Sequence, residues 1–102
     1  MKADTKRIQE IENYFFSQKK SYLDKRKADL SEIKKNLSEE LDSQHLEKIQ
    51  KIGHKIKGSA GLYGFSKLSD IAFRIETTAR NGDVNTLPNV VDEFQTFLNE
   101  VK

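Results

Sequence analysis

The stretch LEKIQKIGHKIKGSAGLYGF, Leu46 to Phe65, decides how the chain is read. Leu46, Ile49, Gly53, Ile56, Ala60 and Tyr63 recur at spacings of three and four, and at about 100° per residue they fall within one arc of roughly 100°. That is one buried face of an α-helix. Upstream, SEELDSQ (residues 38–44) is polar and offers Asp42 or Ser43 as the N-cap, so the helix begins near residue 43. Downstream, GFS is a short connection with Ser66 as the next cap.

Outward from there the same period repeats. Leu68, Ile71, Ala72, Ile75 and Ala79 trace a further helix that ends at RNGD, where Gly82 suits the C′ position. Leu87, Val90, Val91, Phe94, Leu98 and Val101 trace the last, with Thr86 as cap and Pro88 in the first turn, where its missing N–H is harmless. Towards the N-terminus, Ile8, Ile11 and Phe15 follow Asp4, a candidate N-cap, and Leu23, Leu30, Ile33 and Leu37 continue the stripe. Polar residues between Ser17 and Ser21 leave open whether the first 38 residues form one extended helix or a short N-terminal helix and a longer one. Short links between amphipathic helices imply an all-α, antiparallel four-helix bundle. The 102 residues suffice for one such core, so a single domain over residues 1–102 is expected.

Bulk composition narrows the function classes. Cysteine is absent, which excludes disulfides and thiolate metal sites. No apolar run approaches the roughly 20 residues of a bilayer span, and MKADTKRIQEIE lacks the apolar core of a signal peptide, so a cytoplasmic protein without membrane insertion is expected. The net charge of +2 is far from the basic excess of a nucleic-acid binder. For the Lys-rich KKSYLDKRK, Asp24 within it and Asp29 and Glu32 just after it make a solvated helix face the better reading.

His54 lies roughly 140° from the centre of its helix's apolar arc, which places it away from the core. Lys57 and Gly58 follow at i+3 and i+4, on the same side one turn on. Helical Cβ atoms tilt towards the N-terminus, so a side chain at 58 would lean back over the imidazole. Gly58 and Gly61 together sacrifice roughly 2 kcal/mol of helix propensity, which implies that access or close packing is needed there. Gly53 sits on the apolar face and permits close helix approach. Lys57, with Lys51 and Lys55 nearby, would neutralise an anion carried on the imidazole.

HKIKGSAGLYGF resembles the signature of histidine phosphotransfer (HPt) domains through His54, Lys57, Gly58, Ser59, Ala60 and Gly64, with Ile56 in place of the commoner Leu. The following LSDIAFRIETTARNGD is similar to the family's next helix. The resemblance implies a four-helix bundle that carries a phosphoryl group on His54 Nε2, with Lys57 on the phosphoryl oxygens and Gly58 keeping the approach clear. It also implies that Glu76, 22 residues beyond the histidine, accepts a hydrogen bond from Nδ1. Phosphoryl transfer needs positioning and charge stabilisation more than covalent machinery, and a carboxylate on Nδ1–H fixes the tautomer that leaves Nε2 its lone pair.

The implied role is a phosphorelay intermediate with no kinase activity or cofactor of its own, exchanging a phosphoryl group with response-regulator receiver domains or a hybrid histidine kinase, the receiver supplying Mg²⁺. Two alternatives are direct phosphorylation by a chemotaxis-type kinase domain and a non-catalytic adaptor that docks receivers. Lys51, Lys55, Gly61, Phe65, Phe73 and Arg80 are candidate docking residues. Competing chemistries lack their motifs: there is no G-x-x-x-x-G-K-[ST], no metal-binding cluster around the two histidines, and no G-x-S-x-G elbow at Ser59.

Overall fold

The computed structural model describes residues 2–38 and 41–101, with side chains from residue 6 onward. Four helices follow one another: α1 (Lys2–Ser38), α2 (Ser43–Ala60), α3 (Ser66–Arg80) and α4 (Leu87–Glu100), and no strand occurs among the described residues. Each helix packs against two others, α1 on α2 and α4, α3 on α2 and α4, so the four close into a bundle with its most extensive seam between α2 and α3. The core is drawn from all four: Ile33 of α1, Ile49 and Ile56 of α2, Leu68 and Ile75 of α3, and Leu87 and Phe94 of α4 are fully buried. Burying each such side chain stabilises the bundle by about 1.5–3 kcal/mol.

Helix ends follow the capping logic with local changes. Asp42 caps α2, its carboxylate accepting from the His45 backbone N–H at 3.0 Å and from the His45 ring at Nδ1, 2.8 Å away. Glu39 and Glu40 of the preceding link lie outside the described residues. After Ala60 the helix tightens into one 3₁₀ turn, Gly61–Tyr63, and Gly64 reverses the chain at φ +84°. The Phe65 N–H closes that turn on the Ala60 carbonyl at 2.9 Å. Phe65 therefore occupies the cap position of α3, and Ser66, expected there, is the first helical residue. At the other end Gly82 has φ +68°, as its C′ position requires. Thr86 precedes α4 without a side-chain cap; Asp83 fills that function for the turn, its Oδ1 accepting the Thr86 N–H at 3.1 Å.

α1 is one unbroken helix through Ser17–Ser21. It starts at Lys2, so Asp4 lies inside it rather than at its cap. At 1.5 Å per residue its 37 residues run about 55 Å, twice the length of the other helices, and the molecule measures 60 × 20 × 18 Å. Only the C-terminal half finds the bundle. Tyr22, Leu30 and Ile33 are buried, while Ile8, Ile11 and Phe15, expected to extend the packed stripe, are more than half exposed because no other helix reaches them. The KKSYLDKRK segment is a helix surface except at Tyr22 and Arg26, both buried: Arg26 pairs with Asp29 at 2.7 Å and lies over the Tyr22 ring, 4.5 Å from its centre.

Candidate functional site

The site grows out of the α2–α3 seam. A Cβ on Gly53 would lie 2.9 Å from the Glu76 backbone nitrogen, 3.0 Å from the Ala72 carbonyl and 3.2 Å from Ile75 Cγ2, so only glycine lets α3 come this close. That approach carries Glu76 up to the residue next in sequence, His54. Glu76 is buried, at 2% of its surface, whereas the His54 side chain is 70% exposed. The carboxylate joins the two helices: Oε2 bonds His54 Nδ1, and Oε1 accepts from Lys57 Nζ at 2.9 Å. Arg80, one turn on, stands 3.5 Å from the same oxygen.

Burial by itself would raise the pKa of Glu76. The hydrogen bond from Lys57, and after it the one from His54, more than offset that, and the pKa lies below the ordinary carboxylate value. Glu76 is therefore ionised at neutral pH. An ionised carboxylate only accepts hydrogen bonds, so Nδ1 of His54 must carry the proton. In the neutral ring the lone pair is then on Nε2, and the mostly exposed imidazole offers it to an incoming group.

The surroundings are open and positive. An unroofed depression beside the ring is lined by Gln50, Lys51, His54, Glu76 and Arg80. A Cβ on Gly58 or on Gly61 would meet nothing within 4 Å, so neither glycine is demanded by packing within the chain. Lys51 and Lys55 are exposed, Lys51 pairing with Glu47 at 3.3 Å. Lys57 Nζ also lies over the Phe73 ring, 5.3 Å from its centre, and Phe73 is itself half exposed. Phe65 is placed differently. It is half-buried at the end of the bundle, stacked with Tyr22 at 6.1 Å and edge-on to Phe97, away from the His54–Glu76–Lys57 cluster.

Three supporting residues escaped the sequence reading. Gln50 lies four residues before His54, and the helical spacing of neighbours could have found it. Tyr22 bonds Ser59 through its hydroxyl at 2.6 Å, and Ser69 donates to the Lys57 carbonyl at 3.1 Å. These two pin the site helix from α1 and α3, across separations of 37 and 12 residues that no local pattern announces.

Among the described residues, no group of three or more His, Asp or Glu side chains is placed to hold a metal ion, and no helix is long and apolar enough to cross a membrane. No curated protein and no solved structure matched the chain. A family model described as Hpt domain matches residues 21–102, from the point where α1 enters the bundle onward, and takes in the whole His54 cluster. The chain belongs to the histidine phosphotransfer (Hpt) domain family, the phosphocarrier modules of two-component signalling.

Proposed function

We propose that the protein is a phosphorelay intermediate: His54 takes a phosphoryl group from the aspartate of one receiver domain and passes it to the aspartate of another. The observation that carries this reading is the exposed His54 ring held at Nδ1 by a buried, ionised carboxylate on the neighbouring helix. In the forward step the Nε2 lone pair attacks phosphorus, the N–P bond forms, and the acyl–phosphate P–O bond breaks to release the receiver's aspartate as carboxylate. The proton on Nδ1 stays in its bond to Glu76, and the return step reverses each change.

Lys57 contributes charge. Its ammonium has three N–H groups, one of which is on Glu76, leaving others to meet phosphoryl oxygens as they arrive on Nε2. Arg80 adds a second cation to the carboxylate, so Glu76 stays paired if Lys57 leans outward. Gly58 keeps the face of the ring clear for the partner, since it serves no contact within the chain. We assign the Mg²⁺ of this step to the acidic pocket of the receiver. We place the docking contacts on Lys51 and Arg80, which line the depression beside the ring, on Phe73, whose ring lies under Lys57 Nζ, and on the exposed Lys55 and Gly61.

The test is to incubate the protein with receiver domains prephosphorylated on aspartate, with Mg²⁺ present, and to look for acid-labile, alkali-stable phosphate. Wild type should label and His54→Gln should not, with its helical content unchanged. A labelled His54→Gln would sink the assignment. Failure of wild type across a broad receiver panel would instead favour direct phosphorylation by a kinase catalytic domain, and failure with both donors would favour the adaptor.

A further inference from the structure

At the end of the site helix stands an apolar side chain that packing within the chain does not use. Leu62, in the 3₁₀ turn that follows α2, is 86% exposed, more than any other large apolar residue among those described. His54, Gly58 and Leu62 are spaced i, i+4 and i+8. At about 100° and 1.5 Å per residue, Leu62 therefore lies roughly 80° round the helix from the histidine and about 12 Å beyond it. Both leave α2 on its outward side, roughly 140° from the centre of the buried face.

A single exposed leucine is ordinary. This one has a counterpart on α3 in Phe73, half exposed, whose ring centre lies 5.3 Å from Lys57 Nζ. Round the helix the order is Lys57, Gly61, Gly58, Leu62, so the two glycines lie between the Phe73 flank and Leu62. A Cβ on either would meet nothing within 4 Å, which leaves the floor between the two apolar side chains open. On the other side of the ring, towards the start of α2, the depression is lined instead by Gln50, Lys51 and Arg80. The surface about His54 is thus divided, cationic along one half and apolar along the other.

What covers the apolar half follows from the chemistry of the ring. A donor's phosphorus must come within bonding reach of His54 Nε2, so the partner's surface is centred there. A standard interface takes about 800 Å² on each side, a disc of roughly 16 Å radius, which takes in Leu62 and Phe73. We infer that Leu62, with Phe73 facing it across the glycines, is the apolar anchor of the docked receiver domain and seats an apolar surface beside the receiver's acidic pocket. This rests on the phosphorelay reading and adds to it the residue that orients the partner. With the receiver turned half round about the N–P axis, its apolar surface would cover Lys51 and Arg80 and strip them of water without compensation. Leu62 therefore selects among receivers by what they carry next to the acidic pocket.

The experiment follows transfer into the full chain from the prephosphorylated receiver that labels wild type fastest, as rate against receiver concentration. In parallel it follows direct labelling of His54 by phosphoramidate, a donor too small to reach Leu62. Leu62→Asp should raise the receiver KM by about tenfold or more and lower the ratio of receiver rate to phosphoramidate rate to match. The conservative Leu62→Met should keep KM within about threefold of wild type. Gly61→Gln, which builds into the open floor at a φ of −62° that any residue adopts, should raise KM as Leu62→Asp does. Ile8→Asp, which makes the same kind of change on the outer half of α1, should not. Equal KM for wild type and Leu62→Asp would overturn the anchor and leave the phosphorelay reading standing. A fall in phosphoramidate labelling as large as the fall with receiver would overturn it too, by placing the effect on the ring. A wild type that phosphoramidate labels and no receiver does would overturn the phosphorelay reading, and this inference with it.

Discussion

Along the α2–α3 seam Ile56, Ala72 and Ile75 lose nearly all of their surface, whereas along residues 8–16 of α1 side chains of equal or greater apolarity keep more than half of theirs. Both regions show the same three-and-four spacing. The difference lies in what stands opposite. Gly53 lets α3 close on α2 to backbone contact, while the outer half of α1 extends past every other helix. A helical stripe thus reports that a surface is apolar; the lengths of the neighbouring helices decide whether the chain covers it itself.

The sharpest way to break this comparison is truncation of one residue from each region. Ile56→Ala leaves a cavity in the core and should cost about 2–5 kcal/mol in urea unfolding. Ile11→Ala, at a position more than half exposed, should stay within about 0.5 kcal/mol of wild type. Comparable losses at the two positions would mean that the outer half of α1 is covered after all.

A second pair separates the glycines by purpose. Gly53→Ala forces a methyl group against the backbone of α3 and should destabilise by about 1–3 kcal/mol, the range for overpacking a tight contact. Gly58→Ala meets open space and should stabilise α2 by up to about 1 kcal/mol through helix propensity. The larger Gly58→Gln should fold normally and slow phosphoryl transfer, as read by the rate of label moving from a phosphorylated receiver. Normal rates with Gln at 58 would remove the access role from this glycine.

These positions also show where the sequence was legible. The faces of α2, α3 and α4 could be drawn from periodicity alone, because each is about as long as the bundle and all of its stripe is used. The reading of α1 went astray for the same reason inverted: its stripe is longer than the surface available, and nothing local records the length of the other helices. The resemblance put Glu76 beside His54; on its own helix Glu76 lies about 80° from the centre of the apolar stripe, a boundary position that does not announce burial. Its near-complete burial depends on the closeness of α2 and α3, which is a property of Gly53. Tyr22, bonded to Ser59, was invisible because that contact joins residues far apart in the chain. Phe65 carried an aromatic signal that fits docking and packing equally, and its stacking on Tyr22 accounts for its half-burial.

The smallest expected effect concerns pH and refines the account of the seam. Glu76 has a lower pKa in the folded protein than its ordinary 4.5, with the Lys57 hydrogen bond as the leading cause and that of His54 contributing. Its ionised form is thus favoured by folding. The resulting stability is fully present above the unfolded pKa, near 4.5, and is lost as pH falls through the lower folded value. Because Lys57, His54 and Arg80 all retain access to water, the contribution is modest, about 1 kcal/mol. Urea unfolding of wild type and Glu76→Gln from pH 7 down to about pH 3 should give a difference that is constant near neutrality and shrinks on the acid side. A difference that grew as pH fell would mean that burial outweighs the hydrogen bonds, leaving Glu76 protonated near neutrality. Nδ1 would then no longer have to carry the proton, and the tautomer that frees Nε2 would lose its physical basis.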